Sequence, residues 1–201
     1  MNHNVVIQDD FFLNPYKIRE HAISKLKQSS SSIINDKNKN YPGVRIPVDS
    51  EIMDKIKNFI EYRSERKIDY LVGNFHITSS IHKVGIIHKD PNPLAGIIYL
   101  NENPPSNSGT FFYSSIPKKY PVNDISEFCD ITSTTEDTNI IRDFAQTKEE
   151  YNAQFDIEFQ IENKFNRFAA YDGTKLHSPG EYFGTDFEDS RLALVFVFKL
   201  L

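Results

Sequence analysis

The 201-residue sequence predicts a mostly β protein (α+β) with its helices gathered at the N-terminal end. Three observations lead there. Before residue 65, apolar residues recur with helical period. After residue 70, the chain breaks into short apolar runs separated by Gly, Pro, Asn and Asp. The last of these runs alternates strictly: Arg191, Ala193, Val195 and Val197 fall on one side of a strand, and Leu192, Leu194, Phe196 and Phe198 on the other. Many short strands with turn signals between them suggest a sandwich or barrel. The leading helices would buttress one sheet from outside.

The first helix is predicted to open at Asn14-Pro15. Asn14 suits the N-cap, and Pro15 suits the first helical position, where a missing N–H costs nothing. Ile18, Ala22 and Leu26 then form one apolar stripe. Residues 28–40 read as a polar loop closed by the Tyr41-Pro42-Gly43 turn. A second helix opens at Ser50, with Ile52, Met53, Ile56, Phe59 and Ile60 in helical period and Glu51 and Asp54 near its positive end. Strands are expected over 71–79, 84–90, 94–101, 109–114, 155–162, 167–171, 176–183 and 192–200. The insert 116–152 is too long for a hairpin loop. It holds an acidic Ser/Thr run over 132–138 and a helical pattern around Ile140, Ile141 and Phe144; segments of this length are usually functional lids or disordered, and a lid and a plain surface excursion both stay open. The expected organisation is one domain over 1–201, helical to about 65 and β from about 70, with no internal repeat.

Composition narrows the function classes. Lys and Arg number 23 against 28 Asp and Glu, a net charge of −5. That balance argues against charge-driven binding to nucleic acid or to an anionic membrane. A single cysteine, Cys129, excludes an internal disulfide framework and a Cys-rich zinc site. No apolar run reaches membrane-spanning length, and residues 1–11 lack the basic and apolar regions of a signal peptide. A soluble, intracellular protein is expected.

The chemistry gathers on His88, Asp90 and His177. Residues i and i+2 of a strand share a face, so His88 and Asp90 should project together among apolar neighbours. A buried carboxylate needs a partner, and a divalent metal supplies one. Two imidazoles and one carboxylate form the facial triad associated with non-haem Fe(II) oxygenases. The pair alone is a weak signal, since a surface His beside a solvated Asp has the same spelling. Arg191 strengthens it, because a buried guanidinium calls for an anion and matches a carboxylate bidentately.

Taken in order, His88-Lys89-Asp90, Ile98-Tyr99-Leu100-Asn101, Gly109-Thr110-Phe111-Phe112, Asn166-Arg167-Phe168, His177 and Arg191 to Phe196 resemble the 2-oxoglutarate- and Fe(II)-dependent dioxygenases, prolyl-hydroxylase-like branch. The opening Asp9-Asp10-Phe11-Phe12, Asn14-Pro15 and the stretch Tyr41 to Arg45 resemble a phage and marine-microbial subgroup. The resemblance implies a double-stranded β-helix (jelly roll), with Fe(II) held by His88, Asp90 and His177 and 2-oxoglutarate chelating it. Arg191 would pair with the distal carboxylate of 2-oxoglutarate, Tyr99 would hydrogen-bond the same carboxylate, and Asn101, on the same strand face, would join them in binding the cosubstrate. His76 or Thr78 could reach the cosubstrate's other end. The implied reaction consumes O2 and 2-oxoglutarate, hydroxylates a small-molecule or peptide substrate, and releases succinate and CO2. Arg45 and Tyr113 are candidate substrate contacts. Two other readings stay open on the residues alone: a non-catalytic jelly-roll binding or structural protein, and a cupin-type metal hydrolase or isomerase. An oxygenase of nucleic-acid bases is disfavoured by the net charge.

Overall fold

Alternation in the sequence becomes the two faces of a sheet. The computed structural model describes residues 5–33, 42–83, 85–114 and 151–201. Strands β1 (Val6–Gln8), β2 (Val44–Pro47), β3 (Ile68–Thr78), β4 (Leu94–Tyr99), β7 (Phe168–Asp172) and β9 (Arg191–Leu200) form one antiparallel sheet in the order β1-β7-β4-β9-β3-β2. Strands β5 (Thr110–Tyr113), β6 (Ile157–Ile161) and β8 (His177–Pro179) form a smaller antiparallel sheet in the order β6-β5-β8. Helices α1 (Pro15–Ser29) and α2 (Ser50–Ser64) cover the outer face of the larger sheet.

β9 divides as its spelling predicts. Leu192, Leu194, Phe196 and Phe198 pack with Ala22, Leu26, Ile52, Ile56 and Ile60 from the helices. Each such side chain taken from water contributes about 1.5–3 kcal/mol. Ala193, Val195 and Val197 face the other way, toward Ala95, Ile97, Tyr99, Phe112 and Tyr171. That second cluster joins the two sheets; the rings of Phe112 on β5 and Tyr171 on β7 meet edge to face at 5.0 Å.

Both helices begin where expected, at Pro15 and Ser50, and the first is capped by a side chain. The Asn14 side chain accepts the Lys17 N–H at 3.3 Å. α1 runs through Ser29, two residues into the expected loop, and Ile33 beyond it is buried. Gly43, at φ +77°, makes the turn into β2; a Cβ there would meet the Ile77 carbonyl oxygen at 2.0 Å. The N-terminal segment is tied down by Asn166, whose side chain accepts the Phe12 N–H at 2.8 Å and donates to the Phe12 carbonyl at 2.9 Å. Asp9 pairs with Arg167 at 2.6 Å and Lys164 at 2.7 Å, which hold its carboxyl well below the usual range. The two motifs, near residues 9–15 and 166–168, are therefore halves of one contact.

Three expectations are corrected. Of the strand expected over 84–90, the described residues 85–90 form none; among them only His88 makes a bridge, to His177. Pro91 and Pro93 lack the N–H a ladder needs, and Gly85 lies against Pro179. The strand expected over 176–183 shortens to β8, which ends at Pro179-Gly180. β1 and β2 were not foreseen, because three or four residues are too short to display a period. The helical pattern near Ile140 and the acidic run over 132–138 lie outside the described residues.

Asp49, just before α2, links the helices: its carboxylate meets Lys25 at 2.8 Å and His21 at 2.6 Å, both on α1. These partners hold its pKa at about 2, below the ordinary 3.8. A depressed carboxylate contributes stability above its unfolded pKa, and that contribution is lost as pH falls through the folded one. We predict that Asp49→Asn costs about 0.2–1 kcal/mol at pH 7, the range for exposed ion pairs. The wild-type and variant urea midpoints should converge between pH 4 and about pH 2. An unchanged gap across that window would remove Asp49 from this role.

Candidate metal centre

Between the sheets, His88 and His177 meet through an antiparallel bridge. The His88 N–H donates to the His177 carbonyl at 2.9 Å, and the His177 N–H donates to the His88 carbonyl at 2.9 Å. The rings lie 4.5 Å apart by their centroids. Each imidazole uses Nδ1 on a carbonyl two residues back: His88 on Ile86 at 2.9 Å, His177 on Lys175 at 2.8 Å. That leaves each Nε2 as the free lone pair, and both point at Asp90. His88 Nε2 is 3.7 Å from one carboxylate oxygen, and His177 Nε2 is 3.5 Å from the other.

The three ligand atoms lie within 4.8 Å of one another, so the set could hold a metal ion. An ion bonded at about 2.0–2.2 Å needs such a cluster. Anchoring of Nδ1 by a carbonyl is the usual support for an Nε2 ligand. Burial and the neighbouring His177 push His88 down to about 4, against the pull of Asp90, so the ring is neutral at pH 7. Burial works to raise the Asp90 pKa, but the neighbouring His177, first, and His88 hold it below the ordinary value. A neutral imidazole beside an ionised carboxylate is the protonation state a metal requires.

The triad opens on a cavity of about 380 Å³ whose described lining also includes Arg45, Asn74, His76, Thr110, Tyr171, Tyr182 and Arg191. Arg191 is 2% exposed. Its Nε donates to the Ser108 carbonyl at 3.0 Å, while one terminal nitrogen is buried with no partner among the described residues. The Thr78 hydroxyl, on the residue paired with Arg191 across β3 and β9, is also buried without one. An unsatisfied buried donor costs about 1–3 kcal/mol, more when charged. The guanidinium carbon stands 5.9 Å from the Tyr99 ring centroid.

Other expected residues fall differently. Tyr99 is fully buried beneath Arg191, and its hydroxyl bonds Thr110 at 2.7 Å. Asn101 does not line the cavity. Its side chain donates to the Ser190 carbonyl at 2.8 Å and accepts the Leu192 N–H at 2.7 Å, clamping the backbone on both sides of Arg191. Tyr113 is not among the lining residues either; its hydroxyl meets Ser178 at 3.0 Å, beside His177. Arg45 and His76 do line the cavity, on paired positions of β2 and β3. Sequence reasoning overlooked Asn74, Tyr171 and Tyr182. Tyr171 stands edge to face with His177 at 5.2 Å, and burial, together with the Asp90 charge, pushes its phenol well above the usual value. Extending the alternation that singled out Tyr99 to 74–78 and 169–171 would have found Asn74 and Tyr171.

Comparison with known proteins gives a family and a fold. The family model described as a family of unknown function, DUF6445, matches residues 76–194. The chain belongs to the DUF6445 family. The match spans β3 through β9 and therefore includes the triad and Arg191. No curated protein matches this DUF6445 chain by sequence. Among solved structures it is similar to a Pseudomonas putida prolyl-4-hydroxylase, at 13% identity and TM-score 0.54 over 98% of this chain and 93% of that one. It is similar to SnoK, a non-heme alpha ketoglutarate dependent carbocyclase from nogalamycin biosynthesis, at 7% identity and TM-score 0.59, over 98% and 80%. AviO1 from Streptomyces viridochromogenes Tue57 matches at 8% identity and TM-score 0.58, over 98% and 90%. At such identities the likeness is one of fold.

Two substitutions separate support of the triad from support of its surroundings. The Asp90 N–H donates to the Gly173 carbonyl at 2.8 Å, and a Cβ at Gly173 would lie 2.7 Å from the Asn92 carbonyl oxygen and 3.1 Å from the Asp90 Cβ. Gly173→Ala should weaken Mn(II) binding about 10–100-fold by calorimetry, although no ligand is changed. Asn101→Ala should cost about 2 kcal/mol in urea unfolding, with Mn(II) affinity retained. The reverse pattern would overturn both assignments.

Proposed function

We propose that this protein is a 2-oxoglutarate- and Fe(II)-dependent oxygenase that hydroxylates its substrate, built on a double-stranded β-helix. The buried, unpartnered nitrogen of Arg191 carries the reading. A metal site alone would suit a hydrolase equally well. A guanidinium enclosed at the wall of the same cavity has a use only if an anion joins it, and 2-oxoglutarate has a carboxylate at each end. The fold neighbours include a prolyl-4-hydroxylase and an alpha ketoglutarate dependent carbocyclase, which supports the same choice.

In this mechanism the metal would be held by His88 and His177 through Nε2 and by the Asp90 carboxylate. Iron(II) with 2-oxoglutarate supplies oxidative decarboxylation, so that substrate, O2 and 2-oxoglutarate become hydroxylated substrate, succinate and CO2. The Ile86 and Lys175 carbonyls keep both Nε2 atoms turned inward. Arg191 binds the distal carboxylate and fixes the cosubstrate's direction. The Ser108 carbonyl and the Tyr99 ring hold that guanidinium in place. Ala95, Ala193 and Val195 form a floor of small side chains that leaves room above the metal, and the apolar walls limit water.

Aerobic incubation with Fe(II) and 2-oxoglutarate should yield succinate, measured by mass spectrometry. His88→Ala should abolish both Mn(II) binding and succinate formation. Arg191→Ala should retain Mn(II) and weaken 2-oxoglutarate binding roughly 10- to 150-fold, the worth of a charged hydrogen bond. Wild-type protein that binds no 2-oxoglutarate and forms no succinate would reject the proposal.

A further inference from the structure

An apolar lane leads from solvent to the triad. Strand register lines up four side chains on the cavity face of the larger sheet. Val72 on β3 opposes Val197 on β9, Val197 opposes Ala95 on β4, and Ala95 opposes Tyr171 on β7. All four line the cavity. Exposure falls along the row: Val72 is 57% exposed, Val197 half-buried, Ala95 buried and Tyr171 buried. The buried end reaches the triad, because the Tyr171 ring stands edge to face with His177 at 5.2 Å.

The chemistry of the row describes what fits it. No member is charged, and the adjoining row of Asn74, Val195 and Ile97 carries no charge either. Neighbouring strands lie about 4.8 Å apart, so the row spans roughly 14 Å from β3 to β7. Three of its four side chains are aliphatic. The fourth ends in a hydroxyl. Tyr99, on the same face, gives its hydroxyl to Thr110, but the Tyr171 hydroxyl makes no hydrogen bond to the described protein. Asp90 and Arg191 both act on that phenol, which places it on the cavity side between them. A phenol is protonated at neutral pH and donates one hydrogen bond. Ligand pockets are built this way, with apolar walls and a few polar groups that fix orientation.

We propose that the substrate is an elongated, neutral and largely apolar molecule that lies across the strands on Val72, Val197 and Ala95, with an oxygen near its reacting end accepting the Tyr171 hydroxyl hydrogen beside the triad. As a statement about substrate it rests on the oxygenase reading; as a statement about an apolar binding lane it does not. Val72 and Val197 then set specificity by length and shape. Tyr171 decides which end of the molecule meets the metal centre.

Proton NMR of neutral amides tests this with the whole protein, loaded with Mn(II) and saturating 2-oxoglutarate under argon. The probes are acetamide, butanamide, hexanamide and tert-butylacetamide, the last a compact isomer of hexanamide. Each methylene buried on the lane should strengthen binding about fourfold, so hexanamide should bind at least tenfold more tightly than butanamide. It should also bind at least threefold more tightly than its compact isomer. Broadening by Mn(II) should be greatest beside the carbonyl and fall toward the methyl end. Val72→Thr combined with Val197→Thr keeps shape and strand preference, and should cut the advantage of hexanamide over butanamide to threefold or less. Tyr171→Phe should weaken both amides about three- to tenfold and leave their ratio intact. Circular dichroism melts check that each variant folds, and alanine replaces a threonine that does not. Equal affinity across the amides overturns the proposal, as does equal binding of the two isomers, broadening greatest at the methyl end, or a valine or tyrosine variant that matches wild type. Failure of the oxygenase reading looks different: 2-oxoglutarate does not bind, while the dependence on chain length persists with Mn(II) alone.

Discussion

The single bridge between His88 and His177 is the contact on which the site depends. Two backbone hydrogen bonds of 2.9 Å join the residues, and two more, from each Nδ1 to the carbonyl two positions back, fix the rings. Each is worth about 0.5–1.5 kcal/mol net. Together they exceed the side-chain entropy lost by holding two imidazoles in one orientation. The bridge does what a full strand would otherwise do: it brings a loop residue and a strand residue into register and turns both Nε2 atoms toward Asp90. Asp90 needs only its own link, the 2.8 Å bond from its N–H to Gly173.

The loop is held from behind as well. Asn152 donates to the Gly85 carbonyl at 2.8 Å and accepts the Ile87 N–H at 3.1 Å. Ile87 is buried with Tyr151, Phe155 and Leu176. The residues just after position 150 thus form the outer wall of the segment that presents His88. An irregular segment can carry a ligand set because its polar backbone groups are satisfied by a side chain rather than by a ladder.

What the sequence disclosed follows physical lines. The helix start at Asn14-Pro15 was legible because capping is local, and that at Ser50 because an apolar helical period begins just after it. The two faces of β9 were legible because ten residues display a period of two several times over. His88, Asp90 and His177 do meet, yet the expected reason was wrong: a shared strand face was anticipated, and a one-residue bridge with a glycine contact does the work. Asn101 was placed in the site by extending the face of β4 beyond Tyr99, where the strand ends. Once the ladder stops, the period of two no longer governs direction, and the amide turns to the backbone beside Arg191. Tyr113 fails for a related reason: the register with β6 shifts at Phe112/Tyr113. Such shifts depend on partners distant in sequence, and no local pattern announces them.

The larger sheet therefore divides its labour by face, and the division explains how an expensive group persists. Its outer face buries Leu192, Leu194, Phe196 and Phe198 against two helices, where most of the apolar stabilisation lies. Its inner face carries alanine and valine around a cavity, so it contributes less and leaves volume open. On that face stands Arg191 with a buried nitrogen lacking a partner. An orphaned charged donor costs at least about 1–3 kcal/mol, a sizeable part of the roughly 5–15 kcal/mol that holds an ordinary domain together. Packing on the outer face can carry that cost, but it gives no reason for it. An anion entering the cavity would turn the unsatisfied nitrogen from a liability into a bond. The same reasoning separates Arg191 from Tyr99 and Asn101: their polar atoms are already satisfied by Thr110, Ser190 and Leu192, so they shape the site without awaiting anything from outside it.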